Sequence, residues 1–267
     1  MSKFYFLSLA SGSSGNCYYI GTSEYGILID AGIGVNQLKK ILKEHGIGME
    51  KIMAVLVTHD HADHIKSVGY LGETLNIPVY STAAVHEGIH VSRYVEEILI
   101  QSKRIIEKEQ PFHIRDLKIT AFEVPHDSTD NVGYLIEYEE KSFVVLTDVG
   151  HITDTIRRYV KDIDYLVLET NYDVEMLRSG TYPEFLKERV SGPNGHLSNH
   201  DAADFLAAHY TPRLKNVWLC HLSRDNNHPE LAYKTVDMRL FREGIRIGKD
   251  LSLTALKRMT PSEMFEL

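Results

Sequence analysis

The sequence predicts an α/β protein in which two sheets lie back to back with helices outside. Short apolar runs of strand length alternate with segments of helical period. A block of strands followed by alternating strands and helices also occurs twice within 267 residues. A chain of this length can enclose one large core or two small ones. No Pro/Gly-rich linker, low-complexity tract or exact repeat divides it, so residues 1–267 are read as a single domain.

In the first block, Phe4–Leu9, Cys17–Gly21 and Tyr25–Asp30 read as successive strands separated by Gly/Ser and Glu-Tyr-Gly turns. Val35–His45 carries Leu38, Ile41 and Leu42 at helical spacing and stops at Gly46. Ile52–Val57 is apolar without alternation, as in a strand covered on both faces. Helical patterns follow at His64–Leu75 and between Ala83 and Ile100. In the second block, strands are predicted at Lys118–Val124, Val132–Tyr138, Ser142–Thr147, Tyr165–Glu169 and Asn216–Cys220. Helices are predicted at Thr153–Val160, Ser198–His209 and Pro229–Phe241.

Composition narrows the class. Lys+Arg 29 against Asp+Glu 37 gives a formal net charge of -8, which argues against a basic protein that coats nucleic acid, since phosphate affinity comes mainly from clustered Lys and Arg. An enzyme that holds phosphate through metal ions remains compatible with that charge. The basic residues Lys39-Lys40, Arg157-Arg158, Arg239, Arg242 and Arg246 read as solvated surface, with contact to a DNA backbone as the alternative. Two cysteines, Cys17 and Cys220, are too few to staple a chain of this size. The apolar start Phe4–Leu7 is broken by Ser8, too short for a signal segment, so the expected location is the cytoplasm. What stands out is the total of 14 His.

The densest chemistry is Thr58-His59-Asp60-His61-Ala62-Asp63-His64, directly after the apolar run Ile52–Val57. Imidazoles at i and i+2 leave a strand end on one side, and Asp63 and His64 follow where the chain turns into a helix. Such a mixed N/O donor set suits Zn²⁺, Mn²⁺ or Fe²⁺. It lies at the C-terminal end of a strand, where α/β sites gather.

His59-x-His61-x-Asp63-His64 resembles the signature of the metallo-β-lactamase fold, a four-layer αβ/βα sandwich, and further segments match in order. Val124-Pro125-His126-Asp127-Ser128 is similar to the family's third-histidine segment. Thr147-Asp148-Val149-Gly150 resembles its bridging-aspartate segment, and Cys220-His221-Leu222-Ser223 its last-histidine segment. The resemblance covers essentially the whole chain. It implies His59, His61 and His126 on one divalent ion, Asp63, His64 and His221 on the other, Asp148 bridging, and a hydroxide between the ions. Cys220 reads as a small core residue.

Gly195-His196-Leu197-Ser198-Asn199 resembles the RNase Z-like, nucleic-acid-processing branch, in which an extra histidine faces the scissile phosphate. His196 matches it, and Glu169 matches the acidic residue that orients it. The resemblance thus implies a catalytic set of Asp63, His196 and Glu169, with protonated His196 neutralising the leaving alkoxide. Ser11-Gly12-Ser13-Ser14-Gly15-Asn16-Cys17, together with His221 to Pro229, is similar to compact bacterial YycJ/WalJ-type proteins, a group associated with 5′-to-3′ DNA exonuclease activity.

Ser13, Ser14, Ser198, Asn226 and Asn227 are candidates for framing the substrate phosphate, because Gly/Ser loops and helix starts turn N–H groups toward anions. A mere turn role fits them equally well. Between Asp148 and His196 there is no insertion of the β-CASP kind, and no tRNA-binding arm is present. Both absences count against mRNA or tRNA maturation, and the resemblance implies a two-metal DNA exonuclease, Mn²⁺- or Zn²⁺-dependent with Fe²⁺ also compatible, acting in DNA repair as a monomer or homodimer. The alternative is a hydrolase of a small ester, thioester or cyclic phosphodiester. Oxygen reduction is disfavoured, because His61 stands where that branch carries a carboxylate.

Overall fold

The computed structural model describes residues 3–267. The chain forms two compact units that interleave along the sequence. One comprises residues 3–107, 128–131 and 257–267, and the other residues 108–127 and 132–256.

The first unit holds a seven-stranded sheet in the order β14-β1-β2-β3-β4-β5-β6. Its strands are β1 (Phe4–Ala10), β2 (Cys17–Thr22), β3 (Gly26–Ile29), β4 (Ile52–Leu56), β5 (Val79–Ser81), β6 (Lys103–Ile105) and β14 (Phe265–Glu266). β14, β1, β2 and β3 pair antiparallel, and β3 through β6 pair parallel. The register of β1 on β2 slips between Ser8 and Ala10, where the chain enters the Ser/Gly loop. Strands β2, β3 and all of β4 but Met53 are buried, which accounts for their unbroken apolar character. Helix α1 (Val35–Glu44) buries Leu38, Ile41 and Leu42 on that core.

The second unit repeats the scheme in the order β13-β12-β11-β10-β9-β8-β7. Here β7 (Phe112–Ile114), β8 (Leu117–Glu123), β9 (Val132–Tyr138) and β10 (Lys141–Leu146) form an antiparallel meander. β11 (Tyr165–Glu169), β12 (Asn216–Cys220) and β13 (Ser252–Ala255) continue from β10 in parallel. Trp218 is fully buried and stacks on Phe143 with ring centroids 5.6 Å apart. Burying such a side chain contributes roughly 1.5–3 kcal/mol.

Helix starts follow local chemistry. Thr153 Oγ1 accepts from Ile156 N before α4 (Asp154–Val160), and Ser198 Oγ from Asp201 N before α7 (Asn199–His209). His228 caps α8 (Pro229–Arg242), whose first residue is proline. Among the described residues no helix is long and apolar enough to cross a membrane.

Several expectations are corrected. The helix expected over His64–Leu75 is a short α2 (Ala62–Ile65) followed by a π-helical turn at Tyr70–Thr74. Gly69 and Gly72 interrupt the segment, and a side chain on either would meet Glu97 or Ser102. The helix from Ala83 ends at Val91 (α3, Ala83–Val91), because the apolar residues beyond it, Ile98 and Ile100, find no core and stay exposed. Helices α5 (Val174–Ser179) and α6 (Glu184–Ser191) carry too little apolar periodicity to be foreseen, and α6 buries none of its residues. Strands β5, β6, β7, β13 and β14 are two to four residues long, too short for a pattern.

Candidate metal centre

In the first unit the histidine segment leaves the C-terminal end of β4 and turns into α2. His59 and His64 are fully buried, whereas His61 and Asp63 are partly exposed. The His59 ring centroid lies 4.6 Å from that of His61 and 4.1 Å from that of His64. Asp63 Oδ2 is 3.6 Å from His64 Nε2. The expected segment thus brings its four donors together.

Asp30, which the sequence reading passed over, organises this cluster. It follows β3 with φ 59, a left-handed conformation that Asp tolerates better than most residues. Its buried carboxylate accepts from Thr58 N (2.8 Å), from Thr58 Oγ1 (2.9 Å) and from His64 Nδ1 (2.7 Å). Burial raises the Asp30 carboxyl above its usual range, with His64 and Thr58 acting against that rise. A proton held on Nδ1 leaves His64 Nε2 as the lone-pair nitrogen. The readable signal was a carboxylate ending a wholly buried strand.

The Ser/Gly loop braces the same segment. Asn16 N donates to Asp63 O (2.7 Å), and Asn16 Nδ2 lies 3.0 Å from His64 Nε2 and 3.3 Å from Asp63 Oδ2. A Cβ on Gly32 would stand 1.6 Å from Asp63 O, so this backbone crossing requires glycine. Ser13 and Ser14 are exposed on the loop. Asp60 accepts from Thr129 N and serves as a loop clamp.

In the second unit the donors also leave strand ends. Asp148 follows β10 with φ 55 and His221 follows β12 with φ 53, while His126 follows β8 and Glu169 ends β11. Asp148 Oδ1 lies 3.6 Å from His126 Nε2, 3.7 Å from His196 Nδ1 and 3.4 Å from His221 Nδ1. One donor atom each from Asp148, Glu169, His196 and His221 falls within 4.8 Å of the others. Buried imidazoles around a carboxylate are a donor set that fits a divalent cation.

Glu169 is the fully buried hub of this half. Its Oε1 accepts from His196 Nδ1 at 2.8 Å and lies 2.9 Å from His221 Nδ1, and its Oε2 accepts from Val149 N at 2.7 Å and Leu197 N at 3.2 Å. Burial would raise its carboxyl, but His196 and His221 outweigh burial and hold it below the usual range. Burial likewise works to lower His196, and the Glu169 and Asp148 carboxylates overcome it, so that imidazole sits above its ordinary value. Asn171, also unforeseen, donates from Nδ2 to His221 O (2.9 Å). His126 Nδ1 donates to Gly195 O (2.9 Å). Cys220 is buried, with its thiol 3.6 Å from Leu146 O.

Two of the five phosphate candidates are committed elsewhere. Ser198 Oγ caps α7 and donates to Asp201 Oδ2 (2.6 Å). Asn227 Nδ2 donates to Thr170 O, Asn171 O and Asn199 Oδ1, while its Oδ1 accepts from Asn199 Nδ2 and His228 N. Both side chains are engaged in bonds that hold the fold. Asn226 differs: it is 1% exposed, and neither Nδ2 nor Oδ1 has a partner among the described residues.

Residues 25–221 match the family described as a beta-lactamase superfamily domain. The chain is 34% identical over 264 residues to "Exodeoxyribonuclease WalJ" of Streptococcus pneumoniae serotype 2 (strain D39 / NCTC 7466), covering 99% of this chain and 98% of that one. It is 34% identical over 245 residues to "Exodeoxyribonuclease YycJ" of Bacillus anthracis, 92% of each chain. Among solved structures, Zn²⁺-bound PqqB from Methylobacterium extorquens superposes with a TM-score of 0.74 over 97% of this chain and 99% of that chain, at 16% identity. That likeness extends to the fold alone.

Proposed function

Because the chain belongs to the beta-lactamase superfamily, we propose that it is a dinuclear metal-dependent phosphodiesterase, a 5′-to-3′ DNA exonuclease. The observation that carries this reading is the pair of buried Glu169 with partly exposed His196, 2.8 Å apart, beside Asp148. Hydrolysis of a small ester does not require a second proton carrier held in this way. Two relatives named exodeoxyribonucleases, each matched over more than nine-tenths of its length, support DNA as the substrate. Work on DNA ends during repair is the extension of the same reading.

In this proposal His59, His61 and His126 serve one ion, Asp63, His64 and His221 the other, and Asp148 both. The mixed imidazole and carboxylate set suits Mn²⁺ or Zn²⁺, and Fe²⁺ as well. When bound, the ions withdraw charge from the phosphoryl oxygens and make water a competent nucleophile near neutral pH. The chain's own groups do the rest. Glu169 holds Nδ1 of His196, so Nε2 is the nitrogen that delivers a proton to the departing sugar oxygen. Asp30 and Glu169 fix the tautomers of His64 and His221. Asn226, with Ser13 and Ser14 on their exposed loop, remains a candidate for the substrate phosphate.

The test is metal analysis combined with digestion of 5′- and 3′-labelled DNA in Mn²⁺ or Zn²⁺. Mononucleotides released from the 5′ end support the assignment. Internal cuts, or cleavage of a small chromogenic diester without cleavage of DNA, sink it.

A further inference from the structure

Arg189, on α6 in the second unit, is a cation held beside the candidate centre. Its Nε donates to Asp127 Oδ2, and Asp127 Oδ1 lies 3.3 Å from His126 Nε2. The Arg189 side chain is 56% exposed, and Nη1 and Nη2 bond to no other group among the described residues. Arg157, Arg158 and Arg239 each direct a terminal nitrogen at an acid, Asp154, Glu109 and Glu243 respectively.

The backbone that carries Arg189 is set against His196. His196 N donates to Val190 O (2.9 Å), and Gly195 N to Gly192 O (2.9 Å). A Cβ on Gly195 would stand 2.3 Å from Arg189 O, so only glycine lets the two backbones come this close. With His126 Nδ1 bonded to Gly195 O, the end of α6 is already tied to both histidines. The Arg189–Asp127 pair is therefore not needed as a strut. An exposed pair of this kind contributes only about 0–1 kcal/mol to stability.

We propose that Arg189 receives a phosphate of the substrate strand, with Asp127 fixing the guanidinium by Nε so that the Nη fork faces outward. This rests on the nuclease reading above. A planar fork with one nitrogen anchored is pre-organised for two parallel bonds to phosphate oxygens, which a lysine cannot supply.

The test measures fluorescence anisotropy of a 5′-phosphorylated, phosphorothioate-linked single-stranded oligonucleotide against the metal-loaded protein across a salt series. Removing one phosphate contact from a single strand reduces the slope of log K on log [salt] by about 0.7. Arg189→Ala is expected to show that loss, with Kd weakened about tenfold and Tm within a degree or two of the parent. Arg189→Lys keeps the charge, so it is expected to keep the slope while Kd weakens about threefold. An unchanged slope and Kd in Arg189→Ala overturns the assignment, as does a fall in Tm without a change in slope. Parent protein that leaves ordinary DNA intact sinks the nuclease reading as well. Parent protein that degrades DNA beside an unaltered variant sinks this inference alone.

Discussion

Asp30 Oδ2 and His64 Nδ1 stand 2.7 Å apart, both completely buried. A neutral amide at position 30 can still meet Thr58 but no longer holds the imidazole proton with a full charge. Asp30→Asn is therefore expected to weaken metal affinity by roughly 10–100-fold. Competition against a chromogenic chelator measures this directly, and affinity equal to the parent's would show that His64 does not depend on Asp30.

His196 and Glu169 should separate in their effects. His196→Ala is expected to lower kcat on DNA by about 10²–10⁴ with metal content kept. Glu169 also touches His221 Nδ1, so Glu169→Gln is expected to lower metal content as well as turnover. Metal analysis on the two purified variants distinguishes them. Metal loss in His196→Ala would make His196 a ligand.

A third expectation concerns backbone contact. A methyl group on Gly195 would lie 2.2 Å from Val190 O and 2.3 Å from Arg189 O, and neither carbonyl can swing away as a side-chain tip can. Gly195→Ala is expected to cost roughly 1–3 kcal/mol, read as a lower Tm. Because Gly195 O holds His126, activity should fall further than stability alone accounts for.

The fourth is a pH effect far from the histidines. Asp164 accepts from Ser142 Oγ (2.9 Å) and Arg213 Nη2 (2.9 Å) and pairs with Lys215 (3.3 Å). Burial pushes its carboxyl up, but those donors together outweigh burial and hold it below the usual range. Its contribution is therefore complete above the unfolded value of about 3.9 and is lost as pH falls through the lower folded value. Asp164→Asn should reduce Tm at pH 7, and its deficit should shrink by pH 3. A deficit of equal size at both would remove the carboxylate's charge from the explanation.

How much of this was legible depended on whether a feature leaves a local pattern. The buried strands β4, β10, β11 and β12 were plain, because a run such as Ile52–Leu56 has few other readings. The histidine segment was plain because its donors sit within six residues. Asp30, Asn16 and Asn171 were not, since their importance lies in partners 34 to 50 positions away. Ser198 and Asn227 show the opposite limit. Their residue types suit phosphate and local bracing alike: Ser198 caps its own helix, while the bracing bonds of Asn227 join positions that sequence spacing does not link. Helix α6 left no apolar stripe, so Arg189 could not be placed beside His126 from sequence.

The pairing of Phe6 with Phe265, with Leu267 N bonded to Phe4 O, bears on biosynthesis. Strand β1 emerges from the ribosome before its partner β14, and its outer edge stays uncovered until residues more than 250 positions later have been made. Domains generally fold as they are synthesised, and an unpaired strand edge is what other chains find. A nascent chain must therefore carry that edge open for as long as the segment between β1 and β14 is being made. Truncations near residue 260 should accumulate in inclusion bodies even though every candidate ligand is already present in them.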